Sequence, residues 1–166
     1  MQKKDKQPNF QRLFFEHFGR KPRKQRYELR FESSNIGHDV IFLSSLIHDA
    51  RFKRQDMRTR GTGVYIDLER DAWELGIEPL NWCKSRLSIR GVVGTELREV
   101  DPLEEKHEEF YVQEIVLTHE WGQTGYDNKD YGYRLVMKCF GREYHMLLDE
   151  KVASVVLQDT TVPQFD

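Results

Sequence analysis

The sequence predicts a β-rich α+β fold: a mostly antiparallel, curled or barrel-like sheet of seven or eight strands with one or two helices against it. Three observations lead there. Apolar and polar residues alternate with period two in several segments, as in Tyr27, Leu29 and Phe31 or Val64, Ile66 and Leu68. Clusters of Gly, Asp and Asn separate those segments at short intervals. Helical spacing is confined to two short stretches.

The first stretch holds Phe10, Leu13, Phe14, Phe15 and Phe18, with Gly19 as a stop. A helix of about ten residues is too short to persist alone and needs a surface to dock on. It lies within a basic arm, residues 1–26, which precedes a β-rich domain at 27–166. The second stretch runs through Val40, Ile41, Leu43, Ser44, Leu46 and Ile47, with Asn35 or Asp39 as its cap. Its rival is a buried strand, because Val40 to Leu43 is also a short apolar run.

Strands are predicted around 27–31 and at 51–56, the latter as an edge strand. Thr59-Arg60-Gly61-Thr62-Gly63 makes a turn into the 64–69 strand, where Val64, Ile66 and Leu68 share one face. Further strands fall at 86–93, 110–119, 133–140, 143–149 and 152–158. The last three are closely spaced and are expected to form an antiparallel meander with a tight turn at Gly141. Residues 96–109 read as an acidic loop or frayed helix, and residues 119–132 as a long hairpin loop.

The chain has 166 residues, a third of them charged, and a net charge of −2. The arm carries nine Lys and Arg against Asp5 and Glu16, a net of +7, which leaves −9 for the remainder. Such polarity suits an anionic partner or a second copy of the chain. Cys83 and Cys139 lack the spacing of a zinc site or a disulfide framework. With no apolar run near the roughly 20 residues of a membrane span, and no signal-peptide pattern, a cytoplasmic location is expected.

Chemistry has few places to sit. Asp67, Glu69 and Asp71 are spaced to line one strand face about 7 Å apart, a solvated row or a pair of hard-cation ligands. Arg70 continues the inward phase of Val64, Ile66 and Leu68, and a guanidinium there needs a carboxylate. Asp49 and Glu74 are the candidates, with Trp73 packed across. His48, His119 and His145 have no paired spacing, and Ser44-Ser45 lacks a nucleophile elbow. No catalytic residue, cofactor or metal is therefore assigned.

Leu46-Ile47-His48-Asp49-Ala50, Leu68-Glu69-Arg70-Asp71-Ala72-Trp73-Glu74 and Ser85-Arg86-Leu87-Ser88-Ile89 together carry a resemblance. Over residues 36–93 the chain resembles a family of small uncharacterised bacterial proteins. In these an apolar helix leads into a (Gln/His)-Asp-Ala strand start and a later strand ends in Arg-x-x-Trp-Glu. The basic arm, the acidic 96–109 segment and the 119–132 loop depart from that pattern. The resemblance implies a compact bacterial β-rich domain and brings no activity with it.

The expected function is a non-catalytic protein-interaction or self-associating module, acting on a protein partner or as a homo-oligomer. Its aromatic contact residues would be Trp121, Tyr126, Tyr131 and Tyr133, since rings supply large contact area at low entropic cost. Two alternatives stand beside it. One is a small-ligand or metal-assisted enzyme with a polar site of His48, Asp49, Arg70, Trp73 and Glu74. The other is nucleic-acid binding through the basic arm, by phosphate contact and base stacking.

Overall fold

In a computed structural model, residues 23–32, 34–72, 82–100, 108–120 and 132–162 are described. Ten antiparallel strands form one open sheet. They are β1 (Arg26–Glu28), β2 (Arg51–Lys53), β3 (Met57–Arg60), β4 (Gly63–Asp71), β5 (Trp82–Arg90), β6 (Val92–Glu99), β7 (Glu109–Glu120), β8 (Gly132–Cys139), β9 (Arg142–Leu148) and β10 (Ser154–Asp159). Their order across the sheet is β1-β10-β5-β4-β2-β7-β8-β9-β6, with β3 beside β4. One α-helix is present among the described residues, α1 (Ile36–Ile47). No described helix is long and apolar enough to cross a membrane.

Alternation explains the sheet. Val64, Ile66 and Leu68 of β4, Leu87 and Ile89 of β5, and Val155 and Leu157 of β10 are all buried. Leu135, Met137, Met146 and Leu148 supply the matching face of β8 and β9, and both sets join one core cluster. Each buried Leu or Ile contributes about 1.5–3 kcal/mol. Helix α1 adds Val40, Leu43, Leu46 and Ile47, spaced three and four apart. The strand alternative for this stretch is thereby excluded: helical spacing gathers all four on one side.

Asn35 occupies the helix N-cap position without a side-chain cap bond. At the other end Asp49 is left-handed, with φ 64°. The reversal lets the Asp49 amide donate to the Val112 carbonyl and the Val112 amide donate to the Ala50 carbonyl, both at 2.8 Å. Strand β2 follows at once and joins the two halves of the sheet. Its Arg51 faces Glu69 of β4 on one side and Tyr111 of β7 on the other. Phe52 stacks on Phe110 at 5.0 Å, and Phe110 meets the Tyr144 ring edge at 5.8 Å.

The expectations need several corrections. The β-rich α+β class and the antiparallel sheet stand as expected, but among the described residues the sheet is open and has ten strands rather than seven or eight. The 51–56 segment is not an edge strand: β2 is interior, and Arg54–Asp56 forms a 3-10 turn before β3. The first strand stops at Glu28, although the Leu29 amide still donates to the Val155 carbonyl. Acidic residues 96–99 belong to strand β6. The meander holds for β8 and β9, turning at Gly141 with φ 70°. It fails for β10, which crosses to lie between β1 and β5. The helix expected on Phe10–Phe18, and most of the 119–132 loop, lie outside the described residues.

Gly91 makes the crossing between β5 and β6 possible. Its φ is 76°, and a Cβ there would come 3.0 Å from the Ala153 and Val152 backbone. The chain thus leaves one half of the sheet beside β4 and re-enters at the far edge beside β9. A side chain at this position meets both left-handed strain and backbone. Gly91→Ala is expected to destabilise the protein by about 1–3 kcal/mol. Urea unfolding checks this, and an unchanged midpoint would contradict it.

Candidate functional site

Arg70 is fully buried, as its phase on β4 requires. Its partner is Asp159 at the end of β10, not Asp49. Asp159 Oδ1 accepts from Arg70 Nη2 at 2.9 Å and Nε at 3.3 Å, and from the Ser85 hydroxyl at 2.7 Å. Asp159 Oδ2 accepts from the Gln25 amide at 2.9 Å. The Cys83 thiol lies 3.5 Å from Oδ1. Burial pushes that thiol up to about 11, the nearby Arg70 only partly opposing it. A thiol so disposed is a poor nucleophile at neutral pH.

The other residues proposed for a polar site do not join Arg70. His48 and Asp49 contact each other at 3.0 Å on the exposed end of α1. Trp73 and Glu74 lie outside the described residues, as do Trp121, Tyr126 and Tyr131. Asp67 and Glu69 do share the outer face of β4, where cross-strand arginines occupy them. Arg86 donates to Asp67 at 2.6 Å and Arg58 pairs with the same carboxylate. Arg86, above all by that hydrogen bond, holds the Asp67 carboxyl below its usual range. Arg51 pairs with Glu69 at 2.8 Å, and its guanidinium lies 5.1 Å from the centre of the Trp82 ring. Among the described residues no three His, Cys, Asp or Glu side chains converge on a point that would hold a metal ion.

A groove of about 1090 Å³ lies between α1 and β7. Ile36, Val40 and Ile41 line the helix side, and Ile115, Leu117 and Tyr133 the sheet side. His48 and His119 line it too. It exists because β2 is only three residues long. Pairing with β2 ends at Tyr111, while β7 continues to Glu120. Past Val112 the helix takes the place of a neighbouring strand, and the Ile115 amide donates to the Ser44 hydroxyl at 2.9 Å.

That bond sets the polarity of the edge. In a strand the N–H and C=O of one residue point the same way, and the direction alternates along the chain. Ile115 points away from β8, so Leu117 does as well, while Glu114, Val116 and Thr118 point toward it. No described strand lies beside Leu117 on that side. Ile41 is 69% exposed at the groove's helix wall. Tyr133, one of the four aromatic contact candidates, packs against Phe31 at 5.2 Å and His119 at 5.0 Å. Sequence reasoning places Ser44 in the helix and finds no nucleophile elbow around it, but misses its bond to β7. A hydroxyl in the middle of an otherwise apolar helix face was the available signal.

No protein-family model, curated protein or solved structure matches this chain. The resemblance to uncharacterised proteins therefore rests on its short motifs alone.

The buried pair yields a stability prediction. Arg70→Met or Asp159→Leu alone leaves one charge buried without its main partner and should cost roughly 3–5 kcal/mol. The double variant should lose less than the sum of the two. Chemical denaturation of all four proteins checks this; strict additivity would refute the coupling.

Proposed function

We propose that this chain is a non-catalytic protein-interaction module that receives an extended peptide segment along the open edge of β7. The observation that carries the reading is the Ile115–Ser44 hydrogen bond, which marks where strand pairing stops and an outward-facing edge begins. Strand addition at such an edge draws affinity from main-chain hydrogen bonds and selectivity from pockets for alternate side chains. Helix α1 supplies an apolar wall beside the edge. The groove, at about 1090 Å³, lies at the upper end of the roughly 300–1,000 Å³ typical of ligand pockets and has room for a short extended segment. An apolar lining favours a peptide with apolar residues at every second position.

The enclosure of Arg70 by Asp159 weighs against the small-ligand enzyme reading, since the guanidinium has no open face for an anion. Cys83 and Cys139 are both free and buried, in keeping with a reducing, cytoplasmic setting.

A displayed library of random peptides tests the reading. The wild-type chain should select sequences with alternating apolar residues. Leu117→Pro removes the outward amide while sparing pairing with β8, and should weaken the selected peptides at least about tenfold, or roughly 1.4 kcal/mol. Equal binding to the variant would sink the proposal. So would a dimer that Leu117→Pro abolishes, because the edge would then belong to a second copy.

A further inference from the structure

The outer face of β3, β4 and β5 is built around Tyr65. Gly63 stands two residues before it on the same face. A Cβ on Gly63 would fall 2.7 Å from the Tyr65 hydroxyl and 2.8 Å from its Cε2. The ring therefore lies back along the strand, over the glycine. Gly63 is paired with Arg60 on β3 and with Arg90 on β5, so an arginine flanks the ring on each side. Arg58 stands opposite Tyr65, and Arg86 stands opposite Asp67 one step along. All four arginines are exposed, and Tyr65 is half-buried.

The charge here runs against the sign of the molecule. Arg60 and Arg90 stand on either side of the ring by register, while Arg58 and Arg86 pair with Asp67 one step along. Arg60 and Arg90 make no ion pair with any described residue. Exposed like charges grouped on one face raise the local positive potential, which attracts an anionic partner. A ring over a glycine fills the space the missing side chain leaves. That packing accounts for Tyr65 and leaves the arginines unexplained.

We infer that this face binds single-stranded nucleic acid, with a base stacked on Tyr65 and the flanking phosphates held by Arg60 and Arg90. Guanidinium groups match phosphate oxygens in a two-pronged geometry. Base–aromatic stacking needs an uncovered base face, which a duplex does not offer. A lipid surface is the poorer match. Membrane-binding faces insert apolar side chains, and among the described residues none of the exposed large hydrophobic ones belongs to β3, β4 or β5. This reading is independent of the β7 groove and of the basic arm.

Fluorescence anisotropy with labelled oligo(dT) and oligo(U) of about twelve nucleotides tests it on the full chain. Binding should be present at about 50 mM salt and fall steeply by about 200 mM. Arg60→Gln with Arg90→Gln should weaken it at least about tenfold and lower the salt slope by about 1.4. Tyr65→Leu should weaken it about fivefold or more, while Tyr65→Phe keeps the ring and the affinity. A duplex of equal length should bind less tightly. The inference is overturned by absent binding at low salt, by equal or tighter duplex binding, or by variants that bind like wild type. It is also overturned if only Lys3→Gln, Lys4→Gln and Lys6→Gln together remove binding, or if phosphatidylserine vesicles bind and oligonucleotides do not.

Discussion

The buried contact between Arg70 and Asp159 is the constraint on which the sheet depends. A guanidinium on the inward face of β4 is tolerable only where a carboxylate meets it and the remaining hydrogen-bonding positions are filled. Asp159 meets it from β10, and the same carboxylate gathers Ser85 of β5 and the Gln25 amide just before β1. One ionic centre thus ties four strands, of which only β4 and β5 are neighbours in sequence. It also gives a reason for β10 to leave β9 and cross the sheet. Beside β9 it would have left the guanidinium of β4 without this partner.

With that half of the sheet fixed, the other half is attached through a narrow link. Strand β2 is short because Asp49 reverses the chain immediately before it and a 3-10 turn follows it. A longer β2 would cover the β7 edge and leave no groove; without β2 the two halves would have no shared ladder. The ring cluster of Phe52, Phe110 and Tyr144 compensates for the short pairing, since apolar contact supplies what the missing hydrogen bonds do not. Arg142, buried, lies 4.6 Å from the Phe110 ring centre and closes the cluster.

Much of this was legible locally. The alternation of Val64, Ile66 and Leu68, the inward phase of Arg70, the helix through Val40 to Ile47 and the turn at Gly141 depend on residues within a few positions of each other. Partners depend on the whole fold, and there the sequence was silent. Asp159 sits 89 residues from Arg70, and no periodicity connects them; the candidates read from sequence, Asp49 and Glu74, are simply nearer along the chain. The groove was hidden for a similar reason. An open edge is a property of how far a neighbouring strand extends, and a three-residue strand leaves almost no periodic signal. The Tyr65 platform escaped notice because Gly63 read as the end of a turn, when it is the first residue of β4 and pairs on both sides.

Hydrogen bonds between Gln25 and Asp159 join residues 134 positions apart. The entropy of closing so long a segment grows only logarithmically with its length, but it must be met before the contact returns anything. Sheets assembled from such distant pieces form slowly. During synthesis, β4 emerges from the ribosome well before β10, and Arg70 has no Asp159 to meet until almost the whole described chain has been made. The first half of the sheet therefore waits, incomplete, for its last strand, and a nascent chain halted before Asp159 would expose the edge of β5 to any other strand it encountered.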